Sequence, residues 1–85
     1  MYRIELRRKA QRSLDRLPET DFDAVLSAVK DLANTPSPKG VEKIKSAGLW
    51  RIRQRDYRVI YSIDDKQQLV IVVRIGHRRE VDRSI

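Results

Sequence analysis

The segment LWRIRQRDYRVIYSI, from Leu49 to Ile63, constrains this chain more than any other, because apolar and basic residues alternate along it almost without a break. A period of two over that length is the pattern of paired strands with unlike faces. Trp50 and Ile52 point one way and Arg51 and Arg53 the other. After a turn at Gln54, Arg55 and Asp56, the residues Val59, Tyr61 and Ile63 oppose Arg58, Ile60 and Ser62. Slipping the pairing by one residue would carry a whole side-chain set to the wrong face. Matching Ile52 with Val59 and Trp50 with Tyr61 keeps the large apolar groups together and sets Arg53 across from Arg58, with Arg51 beside them. The other register puts Arg58 opposite Ile52 on the apolar face, and a lone guanidinium there is far costlier. Like charges facing each other weaken a hairpin. A fold with no use for the cluster would do better with a carboxylate at one of these places, so the cluster reads as an anion site.

The partner class follows from the charge balance. Nineteen Lys and Arg against twelve Asp and Glu leave a net charge of +7 on 85 residues, with an isoelectric point near 10.3. On so small a chain this suits phosphate-rich partners, nucleic acid before anionic membrane. The longest apolar run, Leu69 to Val73, has the length of a strand rather than a membrane span. A hydrophobic content of 40% supports one modest core, hence a single domain over residues 1–85. With no cysteine the fold must stand on packing, which suits a reducing cytoplasm. The opening MYRIELRRK lacks the apolar stretch of a signal peptide.

Along the chain, Tyr2, Ile4 and Leu6 alternate with Arg3 and Glu5 as a first strand. Ala10, Leu14 and Leu17 follow at helical spacing, from about Arg8 until Pro18 stops the helix. Arg8, Arg12 and Arg16 line its outer side, a row read first as a solvated face and second as a contact to RNA backbone. Phe22, Val25, Leu26, Val29, Leu32 and Ala33 mark a second amphipathic helix, capped by Thr20 or Asp21 and ended by Asn34, Pro36 and Pro38. Residues Asn34 to Gly40 form a loop. Val41, Ile44 and Leu49 look buried, while Lys43 and Lys45 lead into the hairpin and add charge near the arginine face.

A turn at Asp64, Asp65 and Lys66 precedes LVIVVRIG, Leu69 to Gly76, the most apolar and therefore central strand. Strict alternation gives one row of Leu69, Ile71, Val73 and Ile75, and another of Val70, Val72, Arg74 and Gly76 that extends to Arg78. Gly76 allows close approach of backbone or substrate. His77 to Arg83 read as a charged tail. The expected fold is α+β: two N-terminal helices on one face of a small, mostly antiparallel sheet, the other face open and basic. Trp50 and Tyr61 belong to the core by parity. Tyr57, at the turn, is left as either a base-stacking or an ordinary residue. Arg74 falls on the open face, where Glu5 or Asp82 could pair with it.

Taken together, LWRIRQRDYRVIYSIDD, the later VVRIGHRREVDR, the Leu17–Pro18 step into a helix and the PSPKGVEKIK loop resemble the RelE branch of the RelE/ParE toxin superfamily, across essentially the whole chain. The resemblance implies a compact, microbial-ribonuclease-like fold. It also implies a toxin of a type II toxin–antitoxin system that cleaves mRNA in the ribosomal A site and is held in check by a cognate RelB-like antitoxin. Carried over by position, Arg51 and Arg53 are the basic pair on the first hairpin strand that positions RNA. Arg58 is the arginine of the second strand, and Arg78 the arginine after the glycine of the last. The implied chemistry is attack by the ribose 2′-hydroxyl, with arginines neutralising the phosphorane, a role suited to fixed planar charge. No metal or other cofactor is implied, and Lys43, Lys45, Arg74 and Tyr57 are further candidates for RNA contact.

The chain departs from the family at Asp82, where relatives often carry a tyrosine that helps deprotonate the 2′-hydroxyl. Asp82 among arginines is expected to make a poorer base at neutral pH. His77 is the other acid–base candidate, imidazole being the side chain that titrates nearest neutrality. An arginine at 53 cannot donate a proton as a lysine could. The alternative within the superfamily is a ParE-like toxin that binds and inhibits DNA gyrase without chemistry. A third possibility is a plain RNA-binding module.

Overall fold

Tight turns and alternating strands build the sheet first. In the computed structural model, which describes residues 1–84 and the side chains of residues 1–81, the hairpin pairs Trp50 with Tyr61, Ile52 with Val59 and Arg53 with Arg58. That is the expected register. Gln54 pairs with Tyr57, so Arg55 and Asp56 alone make the turn, and Arg55 carries the positive φ of 55° that the favoured two-residue hairpin turns require.

The elements run β1 (Arg3–Leu6), α1 (Arg8–Asp15), α2 (Glu19–Asp31), β2 (Glu42–Ile44), β3 (Leu49–Gln54), β4 (Tyr57–Asp64), β5 (Leu69–His77) and α3 (Arg78–Ser84). The strands form one sheet in the order β1-β5-β4-β3-β2. Only β1 with β5 is parallel; the other neighbours are antiparallel. The α+β class holds, with the most apolar strand, β5, lying inside the sheet. No helix among the described residues is long and apolar enough to cross a membrane.

Helices α1 and α2 cover one face. Ala10, Leu14, Val25, Val29 and Leu32 pack there against Ile52, Val59, Tyr61, Val70, Val72 and Ile75. Fully burying a leucine or valine contributes about 1.5–3 kcal/mol, so this cluster dominates the stability of the chain. The Tyr61 hydroxyl, buried within it, donates to the Pro36 carbonyl at 2.6 Å and ties down the loop after α2. Tyr61 is a core residue, as parity predicts. α2 begins earlier than the cap residues suggested. Pro18 precedes it without any side-chain cap, and Glu19 and Asp21 occupy its first turn, where their charge favours the helix dipole.

Three expectations change. The first concerns β5, whose two rows do not run straight. Ile60 pairs with Arg74 but Tyr61 pairs with Val72, so Val73 has no opposite residue on β4 and forms a bulge. Below it Val70 and Val72 face the helices with Ile75; above it Arg74 and Gly76 face away. Strict alternation had grouped Val70 and Val72 with Arg74, and a single extra residue exchanges the faces. The second concerns the charged tail, which is the helix α3. Gly76 pairs with Arg58, and a Cβ on Gly76 would lie 2.9 Å from Val81 Cγ2, so α3 sits on the face opposite the other two helices. Ile60 and Val81, both 0% exposed, lie outside the helix-side cluster, and that face is therefore partly covered rather than open. The third is β2, a three-residue edge strand where only buried positions had been read.

Candidate functional site

The arginine face is laid out by the register. Across β2, β3, β4 and β5 one line reads Glu42, Arg51, Ile60, Arg74, and the next reads Arg53, Arg58, Gly76. Residues directly opposite on neighbouring strands hold their Cβ atoms roughly 4.5–5.5 Å apart. Arg51, Arg53, Arg58 and Arg74 therefore share one side of the sheet within two adjacent lines. α3 adds Arg78 at the same end, since the Arg78 backbone N–H donates to the Asp56 carbonyl of the hairpin turn at 2.7 Å.

The arginines are held differently. Arg58 is 7% exposed, and its Nη1 donates to the carbonyls of Tyr57 at 3.1 Å and Arg55 at 3.4 Å. Its charge is thereby fixed against the turn. Arg51 and Arg53 share one carboxylate. Arg51 Nη2 lies 3.0 Å from Glu42 Oε2 and Arg53 Nε lies 2.9 Å from Oε1. The Arg51 hydrogen bond, backed by the charges of Arg51 and Arg53 and opposed by desolvation, holds the Glu42 carboxyl below its ordinary range. Arg78 is exposed. A planar fork bound to one carboxylate can exchange it for a phosphodiester, and an anion is the ligand whose charge would suit the space beside Arg51, Arg53 and the shielded Arg58.

Other candidates lie elsewhere. Tyr57 and His77 pair with each other on the helix side, their rings edge to face at 5.8 Å. The Tyr57 hydroxyl donates to Asp21 Oδ2 at 3.2 Å; desolvation first and the Asp21 bond second raise its pKa. His77 Nδ1 accepts the Arg79 backbone N–H at 3.2 Å, which places the proton of the neutral ring on Nε2. Neither residue joins the arginine face. Lys43 pairs with Trp50 on the helix side and holds its Nζ 5.2 Å from the Trp50 ring centre, so it adds no charge to that face. Lys45 is exposed in the β2–β3 turn. The Asp82 side chain lies outside the described residues.

Two contributing residues escaped the sequence reading. Glu42 supplies the missing carboxylate from the neighbouring strand, and the apolar-polar-polar-apolar run Val41 to Ile44 held no period-two signal for it. Asp21, read as a cap, instead binds Arg55 Nη1 at 3.3 Å and the Tyr57 hydroxyl, pinning the hairpin tip to α2.

With this geometry in hand, likeness to known proteins is informative. Residues 4–82 match the model of the ParE toxin of the type II toxin–antitoxin system parDE. The chain is 32% identical to Toxin RelG of Mycobacterium tuberculosis over 84 residues, covering 96% of this chain and 97% of that protein. Its fold is similar to the toxin in the toxin–antitoxin complex RelBE2 from the same organism, with a TM-score of 0.79, 30% identity, and coverage of 91% and 98% of the two chains. The archaeal RelE–RelB complex from Pyrococcus horikoshii OT3 gives a TM-score of 0.81 at 29% identity, covering 91% and 94%. The chain belongs to the RelE/ParE superfamily of type II toxin–antitoxin toxins.

Proposed function

We propose that the chain is a ribosome-dependent endoribonuclease that cleaves mRNA in the A site and so arrests translation in the cytoplasm. The observation that carries this reading is Arg53 set directly across from Arg58, with Arg51 beside them. Same-sign charges so placed cost a sheet stability unless an anion is to be held there. In the proposed step the ribose 2′-oxygen bonds to the adjacent phosphorus and the bond to the 5′-oxygen breaks, leaving a cyclic phosphate. One proton leaves the 2′-hydroxyl and one reaches the 5′-oxygen. Arg53, Arg58 and Arg78 neutralise the phosphorane, while Arg51 and Arg74 position the strand. No step needs a metal. With His77 turned to the helix side and its Nδ1 engaged, proton transfer falls to Asp82 or to groups that the ribosome supplies. A RelB-like antitoxin is the natural partner of such a toxin, with an acidic or apolar segment laid over the arginine face.

A second reading is a ParE-like inhibitor of DNA gyrase, favoured by the family model that matches. One pair of experiments separates the two. Purified protein is added to a translation reaction with mRNA ends mapped, and in parallel to a gyrase supercoiling reaction. The nuclease reading expects cut message and unaffected supercoiling, with Arg58→Ala lowering cleavage by at least ~100-fold. Intact message with blocked supercoiling would establish the gyrase reading instead.

A further inference from the structure

The N-terminal end of α1 is charged against the interest of the helix. Arg7, Arg8 and Lys9 crowd its N-terminal end, and no acidic residue stands in its first turn. The dipole is positive at that end and disfavours them. Arg8, Arg12 and Arg16 repeat at intervals of four, and like charges at that spacing also destabilise a helix. All five basic residues are exposed, and none forms an ion pair among the described residues. The one acid of α1, Asp15, accepts instead from Gln11 Nε2 at 2.9 Å. α2 obeys the opposite rule, with Glu19 and Asp21 in its first turn and Lys30 in its last. One short chain thus contains a helix charged with its dipole and another whose N-terminal end is charged against it, while Arg12 in its last turn and Arg16 at its C-cap suit the dipole.

Ala10 and Leu14 bury the inner side of α1 against the sheet, so the basic row points away from the sheet, on the layer opposite the arginine face. It is a separate surface. Four residues of helix advance about 6 Å, which spaces three guanidiniums evenly along a straight line. Along the row Arg8, Lys9, Gln11, Arg12, Asp15 and Arg16 are all polar and exposed. A protein partner would want an apolar anchor at the centre of its footprint, and a single strand would want an aromatic platform for its bases. The row offers neither. Evenly spaced fixed charge without apolar or aromatic groups fits the phosphates of a duplex, which need no other contact.

We infer that α1 is a second nucleic-acid surface, one that grips the backbone of a duplex through Arg8, Arg12 and Arg16.

The test measures binding, not cleavage, so its outcome is independent of the nuclease reading. The full-length protein is titrated against labelled RNA and DNA duplexes of about 20 base pairs, between about 50 and about 200 mM salt. The triple variant R8Q/R12Q/R16Q should lower the slope of log affinity against log salt by about 2–3, and affinity in the middle of that range by at least about tenfold. Whichever duplex shows the larger loss is the source of the phosphates. A control, K30Q/K39Q/K66Q, removes the same charge from other exposed positions and should lose much less. In the free protein the α1 variant should melt within a few degrees of the parent, because the dipole opposes Arg8 but suits Arg12 in the last turn and Arg16 at the C-cap. Equal losses in the two variants, or an unchanged slope in the first, would each overturn the inference.

Discussion

Replacing Glu42 by Gln tests whether the arginine face is held ready for an anion. In the folded chain the two carboxylate oxygens of Glu42 each take one guanidinium, at 3.0 Å from Arg51 and 2.9 Å from Arg53. A contact of this kind is worth about 1 kcal/mol in bulk water at 4 Å and about 4 kcal/mol near a protein surface. The Glu42 side chain is 38% exposed and that of Arg53 61%, so solvent screening reduces each contact to about 0.5 kcal/mol. The glutamine keeps the shape and one acceptor oxygen, and stability at neutral pH should fall by no more than about 1 kcal/mol. Affinity for single-stranded RNA should move the other way. With the competing carboxylate gone, a phosphodiester meets two unneutralised forks, and binding should tighten about three- to tenfold, with the salt slope steeper by about 0.7. Fluorescence anisotropy on a labelled, uncleavable RNA reads both quantities. The pH dependence follows from the same contact. Because the folded carboxyl is held below its ordinary range, the ion pairs add stability above that range and lose it as pH falls through the lowered value. The glutamine variant should lack this acid-dependent component. Weaker RNA binding by the variant, or an unchanged salt slope, would refute the idea that Glu42 holds the place of a phosphate.

Other perturbations address the scaffold. Gly76→Ala should destabilise by about 1–3 kcal/mol by pushing Val81 off the sheet; in a thermal double-mutant cycle, adding Val81→Ala should recover part of that loss. Burial raises the Tyr61 hydroxyl to about 12, so stability should be intact below the ordinary phenol value and fall by roughly 2–3 kcal/mol as pH rises to about 12. Tyr61→Phe should abolish that alkaline loss in a pH series of denaturant melts, at a cost near neutrality of about 1 kcal/mol for the bond to Pro36. Leu14→Ala should lower the denaturant midpoint by an amount equivalent to about 2–5 kcal/mol, because Leu14 is 1% exposed against a core that cannot collapse fully.

The hairpin was legible because two independent constraints agreed there: apolar parity and the cost of burying a guanidinium each selected the pairing of Arg53 with Arg58. The two N-terminal helices were legible from their apolar spacing alone. What alternation could not reveal was the place where it stops. Val73 has no glycine or proline beside it to mark a bulge, and its location depends on how β4 and β5 meet. The α3 helix was hidden for a related reason. Its sequence is dense in charge, and one valine opposite one glycine seats it on the sheet. The placement of His77 and Lys43 followed from strand pairing rather than residue type. His77 was grouped by chemistry with the arginines, yet it pairs with Tyr57 on the opposite side. Glu42 was missed because the counter-ion for Arg51 and Arg53 was sought within the hairpin, whereas it comes from the adjoining edge strand.

The extra residue in β5 also sets how the gene can tolerate change. Substitutions in this strand can be absorbed one at a time, and loss of Val73 alone would leave plain alternation with both faces kept, but one further residue inserted between Val70 and Gly76 shifts one half of it by a full face. Either valines turn out to solvent or Arg74 turns in toward the helices. Added length is therefore tolerated less well here than changed composition, and the bulge is the one place where the strand can lose a residue without turning a face.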